Sequence, residues 1–257
     1  MVNHSQSDIE KDSYPSMPHY APLYPELPIQ YKGYRRLSVF CEGRKDGVKH
    51  LLPDFLDYES NMMEVFVLHA PEVEGVSEYW EGGLIVQASF RGTPGGYMAA
   101  EFVTSDAALG IGREIHGHPK KMADVKLEED DVLSGTVSRN GKNLFRVSLT
   151  PGETEIEVPA LTPRYQDRRI PSADGQGYDL KQVLEMNLKG PPYESNLDVK
   201  SDEDIHSIDT GCATVEFNES TNEPFATLGP NQVHGGTFIV RDFDLGFADR
   251  VYDLSET

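Results

Sequence analysis

The stretch DVLSGTVSRNGKNLFRVSLT, residues 131–150, alternates apolar and polar side chains on both sides of Arg139-Asn140-Gly141-Lys142. Asn-Gly between alternating runs is the strongest short-range signal for a β-hairpin, because both residues accept the positive φ that a tight turn needs. Strand-like runs recur to either side: YRRLSVFCEG (34–43), MMEVFVLHA (62–70), YWEGGLIVQASFRG (79–92), GYMAAEFVT (96–104) and TGCATVEFN (210–218). A second turn signal, Asp174-Gly175, lies in the mixed region 151–210, which also holds an acidic loop around SDEDIHSID. Helical spacing is rare. Val48, Leu51 and Leu52 make one short helix that Pro53 ends, DAALG (106–110) reads as turn punctuation, and GGTFIVRDFDLGFADRVYDL (235–254) reads as a strand followed by a short terminal helix. Short strands at intervals of roughly ten residues predict a mainly β (α+β) fold, a curved antiparallel sheet or β-barrel with a few short helices.

Residues 1–30 carry Pro15, Pro18, Pro22, Pro25 and Pro28, each of which removes a backbone donor and disfavours helix in the residue before it. This segment is expected to be an extended arm lying across the domain or a neighbouring subunit, with residues 31–257 as a single domain. The chain has 257 residues, 38% of them hydrophobic, which is enough for a large core. Its 23 Lys+Arg against 43 Asp+Glu give a net charge of −20. A field of that sign repels phosphate backbones and anionic lipid, which argues against nucleic acid and membrane as partners, and an anionic substrate would need a local cationic pocket. No apolar run reaches the ~18 residues of a membrane helix, and the polar start MVNHSQSDIEKD does not resemble a signal peptide. Two distant cysteines, Cys41 and Cys212, fit a cytoplasmic protein without disulfides.

The segment of chemical interest is Gly112-Arg113-Glu114-Ile115-His116-Gly117-His118-Pro119-Lys120-Lys121-Met122-Ala123. Paired lysines after a proline can be no more than a solvated strand end. On an ideal strand, Lys121 would share the apolar face of Ala123, Val125 and Leu127, so periodicity alone would bury Lys121 and leave Lys120 with the polar residues.

This run resembles the signature of the acetoacetate decarboxylase family, Gly-Arg-Glu followed at fixed distance by Pro-Lys-Lys. The segment Tyr79-Trp80-Glu81-Gly82-Gly83, the hairpin LSGTVSRNG, the ending GGTFIVRDFDLGFADRVYDL and the proline-rich arm running into QYKGYRR extend the likeness over about residues 15–254. The resemblance implies that Lys120 forms a Schiff base with a small 3-oxo acid and acts as a decarboxylating lyase, with Glu81 as proton donor and acceptor, without a cofactor or metal, in a homo-oligomer. An amine attacks a carbonyl only when neutral, and lysine ordinarily titrates near 10.4. Burial or a nearby cation lowers that value, and acetoacetate decarboxylase is the standard example of a lysine so activated. Lys121 should project away from Lys120 in a supporting role. At ~8 Å and a dielectric of ~20 its repulsion amounts to roughly 2 kcal/mol, or about 1.5 pKa units, so desolvation, able to supply 3–5 units, is expected to dominate.

The sequence departs from the family pattern at several positions. The family's second pocket acid falls on Phe66, with Glu64 two residues earlier on the same face, and its pocket arginine falls on Tyr34, with Arg35 and Arg36 beside it. Arg35, Arg113, His116, His118, Phe66 and Glu64 are therefore the expected substrate-binding residues, with Arg36 left open as the alternative to Arg35. His116 and His118 replace aromatic or small residues and suggest a substrate other than acetoacetate, or the same lysine used for aldol, dehydration or cyclisation chemistry. His-x-His on a strand can also start a metal site, and a barrel can bind a small ligand without chemistry. Those are the two competing readings: a metal-dependent enzyme and a binding module.

Overall fold

The computed structural model describes residues 16–152, 156, 161, 164–186 and 204–254. Its elements in chain order are β1 (Ile29–Glu42), α1 (Lys45–Leu51), β2 (Asp57–Ala70), β3 (Glu72–Val73), β4 (Tyr79–Phe90), β5 (Thr93–Val103), α2 (Asp106–Glu114), β6 (Lys120–Met122), β7 (Asp124–Glu129), β8 (Leu133–Arg139), β9 (Lys142–Pro151), β10 (Arg164–Pro171), β11 (Tyr178–Met186), β12 (Ile205–Phe217), β13 (Gln232–Leu245) and β14 (Arg250–Asp253). The predicted hairpin is β8–β9, with Asn140 and Gly141 at φ 54° and 75°. The Asp174-Gly175 turn joins β10 to β11.

All the strands belong to one sheet, in the main order β14-β11-β10-β5-β4-β2-β1-β13-β12-β9-β8-β7. It is not a closed barrel. It is also mixed, because β5 runs parallel to both β10 and β6. Apolar residues fill both faces: Val39, Val65, Leu84 and Phe145 belong to a core on one side, and Phe66, Leu68, Ile85 and Met98 to a second cluster on the other. Alternate residues of one strand therefore serve two different interiors, so hydrophobic periodicity alone could not say which side of a strand is inside.

Two local expectations are corrected. Residues 106–110 are helix, not turn: Ser105 caps α2 by accepting from the Ala108 amide at 3.3 Å, and Ala108, Ile111 and Ile115 share its buried face. Gly110 and Gly112 each lower helix propensity by about 1 kcal/mol and hid it. Both lie where another chain segment comes close, Gly110 against Tyr24 and Gly112 against Lys120. The expected terminal helix is instead β14, paired with β11. Of the proline-rich arm, residues 1–15 lie outside the described residues, as do 187–203. From the rest of the arm, buried Tyr24 donates a 2.5 Å hydrogen bond to Glu114 Oε2.

Candidate active site

The site is assembled on the face of the sheet that carries the second cluster, and the strand register explains its membership. Arg36 on β1 lies opposite Leu68 on β2, Leu68 opposite Glu81 on β4, and Glu101 on β5 opposite Lys120 on β6. Side chains directly opposite in a sheet share a face, so these groups converge. The cleft they line has about 540 Å³ of empty volume, its solvent mouth included; Tyr31, Tyr34, Tyr79, His116 and His118 contribute further walls.

Lys120 Nζ donates to Glu81 Oε2 at 2.6 Å, and both residues are buried. Lys121 points the other way, half-exposed and 2.6 Å from Glu223, and takes no part in the pocket. Periodicity favoured the opposite choice. It failed because both sides of the sheet are interiors, so the polar alternation of β6 leads into the cleft rather than into water.

Burial is the largest influence on Lys120 and lowers its proton affinity. The carboxylates of Glu81 and Glu101 outweigh it and hold the ammonium above its ordinary value. The expected net lowering is therefore not found. Glu81 is displaced upward to about 8, chiefly by burial and then by Glu101, to which its carboxyl is also hydrogen-bonded. A carboxyl displaced that far holds its proton to higher pH than a free glutamate does. Beside the ammonium stands a carboxyl able to take a proton from it across one hydrogen bond.

The arginine in the cleft is Arg36, not Arg35. Alternation along β1 slips between Tyr31 and Tyr34, where Gly33 takes φ 61° and its amide donates to Asp242 at 2.7 Å. That irregularity brings Tyr31, Tyr34 and Arg36 to one side and turns Arg35 outward to Glu129, 3.2 Å away. Arg36 is bound by Glu64 at 2.6 Å and lies 3.7 Å over the Phe66 ring. Glu64 and Phe66 therefore do not line the cleft; they stand behind the residue that does. Arg113 is another correction: its exposed side chain reaches back to the Lys120 carbonyl at 3.2 Å and does not face the cleft.

His116 and His118 do line it, but from the irregular segment after α2 rather than from a strand. The Gly246 carbonyl, an acceptor, sits 2.8 Å from His116 Nε2, which fixes the proton on that nitrogen. Both imidazoles are held to about 3, first by burial; the other histidine adds to this for His116, and Lys120 for His118. They are neutral at working pH and can orient a polar group without adding charge. Among the described residues no three or more His, Cys, Asp or Glu side chains group as a metal site.

Glu101 escaped the sequence reading. The available signal was one acid in the middle of the apolar run GYMAAEFVT. Tyr31, whose hydroxyl lies 3.0 Å from that of Tyr79, could not be placed because the β1 irregularity breaks the alternation between Tyr31 and Tyr34.

A buried lysine hydrogen-bonded to a carboxyl thus faces a small cleft on a wide mixed sheet. The chain belongs to the acetoacetate decarboxylase family, whose model matches residues 14–254. It is 23% identical over 239 residues to the acetoacetate decarboxylase of Burkholderia mallei, covering 93% of this chain and 94% of that one. Among solved structures, it is similar to the acetoacetate decarboxylase of Legionella pneumophila, with TM-score 0.81, 20% identity and 99% of each chain covered. It is also similar to the enduracididine biosynthesis enzyme MppR complexed with pyruvate, with TM-score 0.74, 15% identity, and 93% and 96% covered. The fold agrees with the sequence-based expectation of an acetoacetate decarboxylase-like sheet. Among the described residues no helix is long and apolar enough to cross a membrane.

Proposed function

We propose that this chain is a Schiff-base-forming lyase that decarboxylates a small 3-oxo acid through Lys120. The observation that carries the reading is the 2.6 Å contact between the buried Lys120 Nζ and Glu81. Glu81 in its ionised form takes a proton from the ammonium, and the freed amine attacks the ketone. Loss of water gives an iminium, whose nitrogen accepts the electron pair of the breaking carbon–carboxylate bond as carbon dioxide leaves. The enamine carbon is then protonated, and water releases the product and Lys120. Arg36, the guanidinium lining the cleft, is the counter-charge for the substrate carboxylate in an otherwise acidic protein.

The test is borohydride added with acetoacetate, followed by peptide mass analysis and measurement of carbon dioxide release. A reduced adduct on the Lys120 peptide together with gas is expected. No adduct on that peptide refutes the reading. Adduct without gas moves the assignment to aldol or dehydration chemistry, which the extra pocket acid and the two neutral imidazoles favour, and for which MppR, complexed with the condensation product of pyruvate and imidazole 4-carboxaldehyde, is a structural precedent.

A separate check concerns how the lysine is aimed. A Cβ at Gly112 of α2 would come within 2.5 Å of Lys120 Cδ and 2.7 Å of Cε. Because the obstacle is a flexible stem, Gly112→Ala should be tolerated in the fold but should move Nζ. Misplacing a reacting group by about 1 Å costs roughly 100-fold. The expected result is a rate of adduct formation lowered by that factor with a nearly unchanged melting temperature; an unchanged rate would show that the helix does not aim the lysine.

A further inference from the structure

Making an iminium from an ammonium and a ketone moves two protons from nitrogen to oxygen, and a single carboxyl must then act twice in succession on atoms that change position. The cleft contains a second carboxyl. Glu101 is 1% exposed, lines the cleft, and lies opposite Lys120 in the β5–β6 ladder. It is hydrogen-bonded to Glu81, and its Oε2 lies 2.9 Å from Nδ1 of the neutral His118. Burying a carboxyl costs free energy unless polar neighbours compensate it, and β5 supplies no other polar side chain to the cleft.

We infer that Glu101 is a second acid–base residue of this site, dividing with Glu81 the two proton transfers of Schiff-base formation. This inference rests on the Schiff-base reading above. The cycle needs the Lys120 ammonium beside one protonated and one unprotonated carboxyl of this hydrogen-bonded pair. The unprotonated carboxyl takes a proton from Nζ as its lone pair forms the bond to the ketone carbon, and the ketone oxygen takes the proton of the other. A second proton passes from the carbinolamine nitrogen, again through the pair, to the hydroxyl. The C–O bond breaks, water leaves and the iminium remains. Nitrogen has lost two protons, water has gained them, and the pair holds one proton as before.

The experiment is quenched-flow borohydride trapping of the full-length protein with acetoacetate, comparing wild type, Glu101→Gln and Glu101→Met. Gln keeps the shape and the hydrogen bonds but cannot exchange a proton in this way; Met keeps only the length and removes a buried polar group, so it guards against a folding failure. Loss of one acid–base group should slow adduct formation about 100-fold in both variants. Adduct formation at the wild-type rate in either variant overturns the inference, and in Gln alone it would show that hydrogen bonding rather than proton transfer is what Glu101 provides. If the wild type itself gives no Lys120 adduct, the underlying Schiff-base reading fails, a result distinguishable from the first.

Discussion

Lys120→Met should abolish borohydride trapping and reduce turnover by at least about 10⁶-fold, the low end of enzymatic rate enhancements, because no other amine faces the cleft among the described residues. Arg36 cannot replace it, since guanidinium does not deprotonate under these conditions, and Lys121 is turned to Glu223 on the other side of the sheet. The substitution should still fold. Removing one partner of a buried ion pair normally costs about 3–5 kcal/mol because the other charge is stranded. Here the stranded group is Glu81, already displaced to about 8 by burial and by Glu101, so it takes up a proton instead of remaining charged. Melting within a few degrees of wild type together with complete loss of adduct is the expected pair of results, from calorimetry and mass analysis. Residual turnover above about 1% with an adduct on another lysine would remove Lys120 from the mechanism.

The strands were legible because their signals are local. The Asn140-Gly141 hairpin and the alternating runs depend on near neighbours, and the structure puts strands at each of them. Lys120 and Glu81 were legible only through a motif. Nothing in the periodicity distinguishes Lys120 from Lys121 when both faces of a sheet are interiors, and the pattern preferred the wrong one. Arg35 and Arg36 could not be told apart because an irregularity in the middle of a strand shifts every later side chain, and Gly33 is its only mark in the sequence. Glu101 and the second partner of Glu64, on β10, depend on long-range register. Arg164 comes from a region with no motif and reaches Glu64 across 100 residues of chain. Pairings of that kind become visible only once the strand order is known.

That pairing has the largest expected effect on stability. Glu64 is buried with two guanidinia: its Oε1 accepts from Arg36 Nη2 at 2.6 Å and from Ser38 Oγ at 2.7 Å, and its Oε2 from Arg164 Nη2 at 2.9 Å. Arg164 is brought down to about 10, chiefly by burial and despite Glu64, so the carboxylate is what keeps two close cations tolerable. Glu64→Gln preserves the shape and removes the charge. With both arginines stranded, the cost should reach about 3–5 kcal/mol, a large part of the 5–15 kcal/mol of a typical domain, or a fall in Tm on the order of 10 °C. The pH dependence follows from the direction of the Glu64 shift. Burial opposes the charged form, but Arg36 and Arg164 overcome it and hold the folded value below the ordinary 4.5. The stabilisation from ionised Glu64 is therefore complete above about 4.5 and is lost as pH falls through the lower folded value. The Tm gap between wild type and Glu64→Gln should be constant from pH 8 to 6 and narrow below 4.5. Adding Arg164→Met to Glu64→Gln removes one stranded cation and should recover part of the loss, because a near-isosteric apolar side chain replaces a buried charge. A gap that stays constant down to pH 3, or a double variant no more stable than the single one, would mean that Glu64 acts through packing and not as the anion between two arginines.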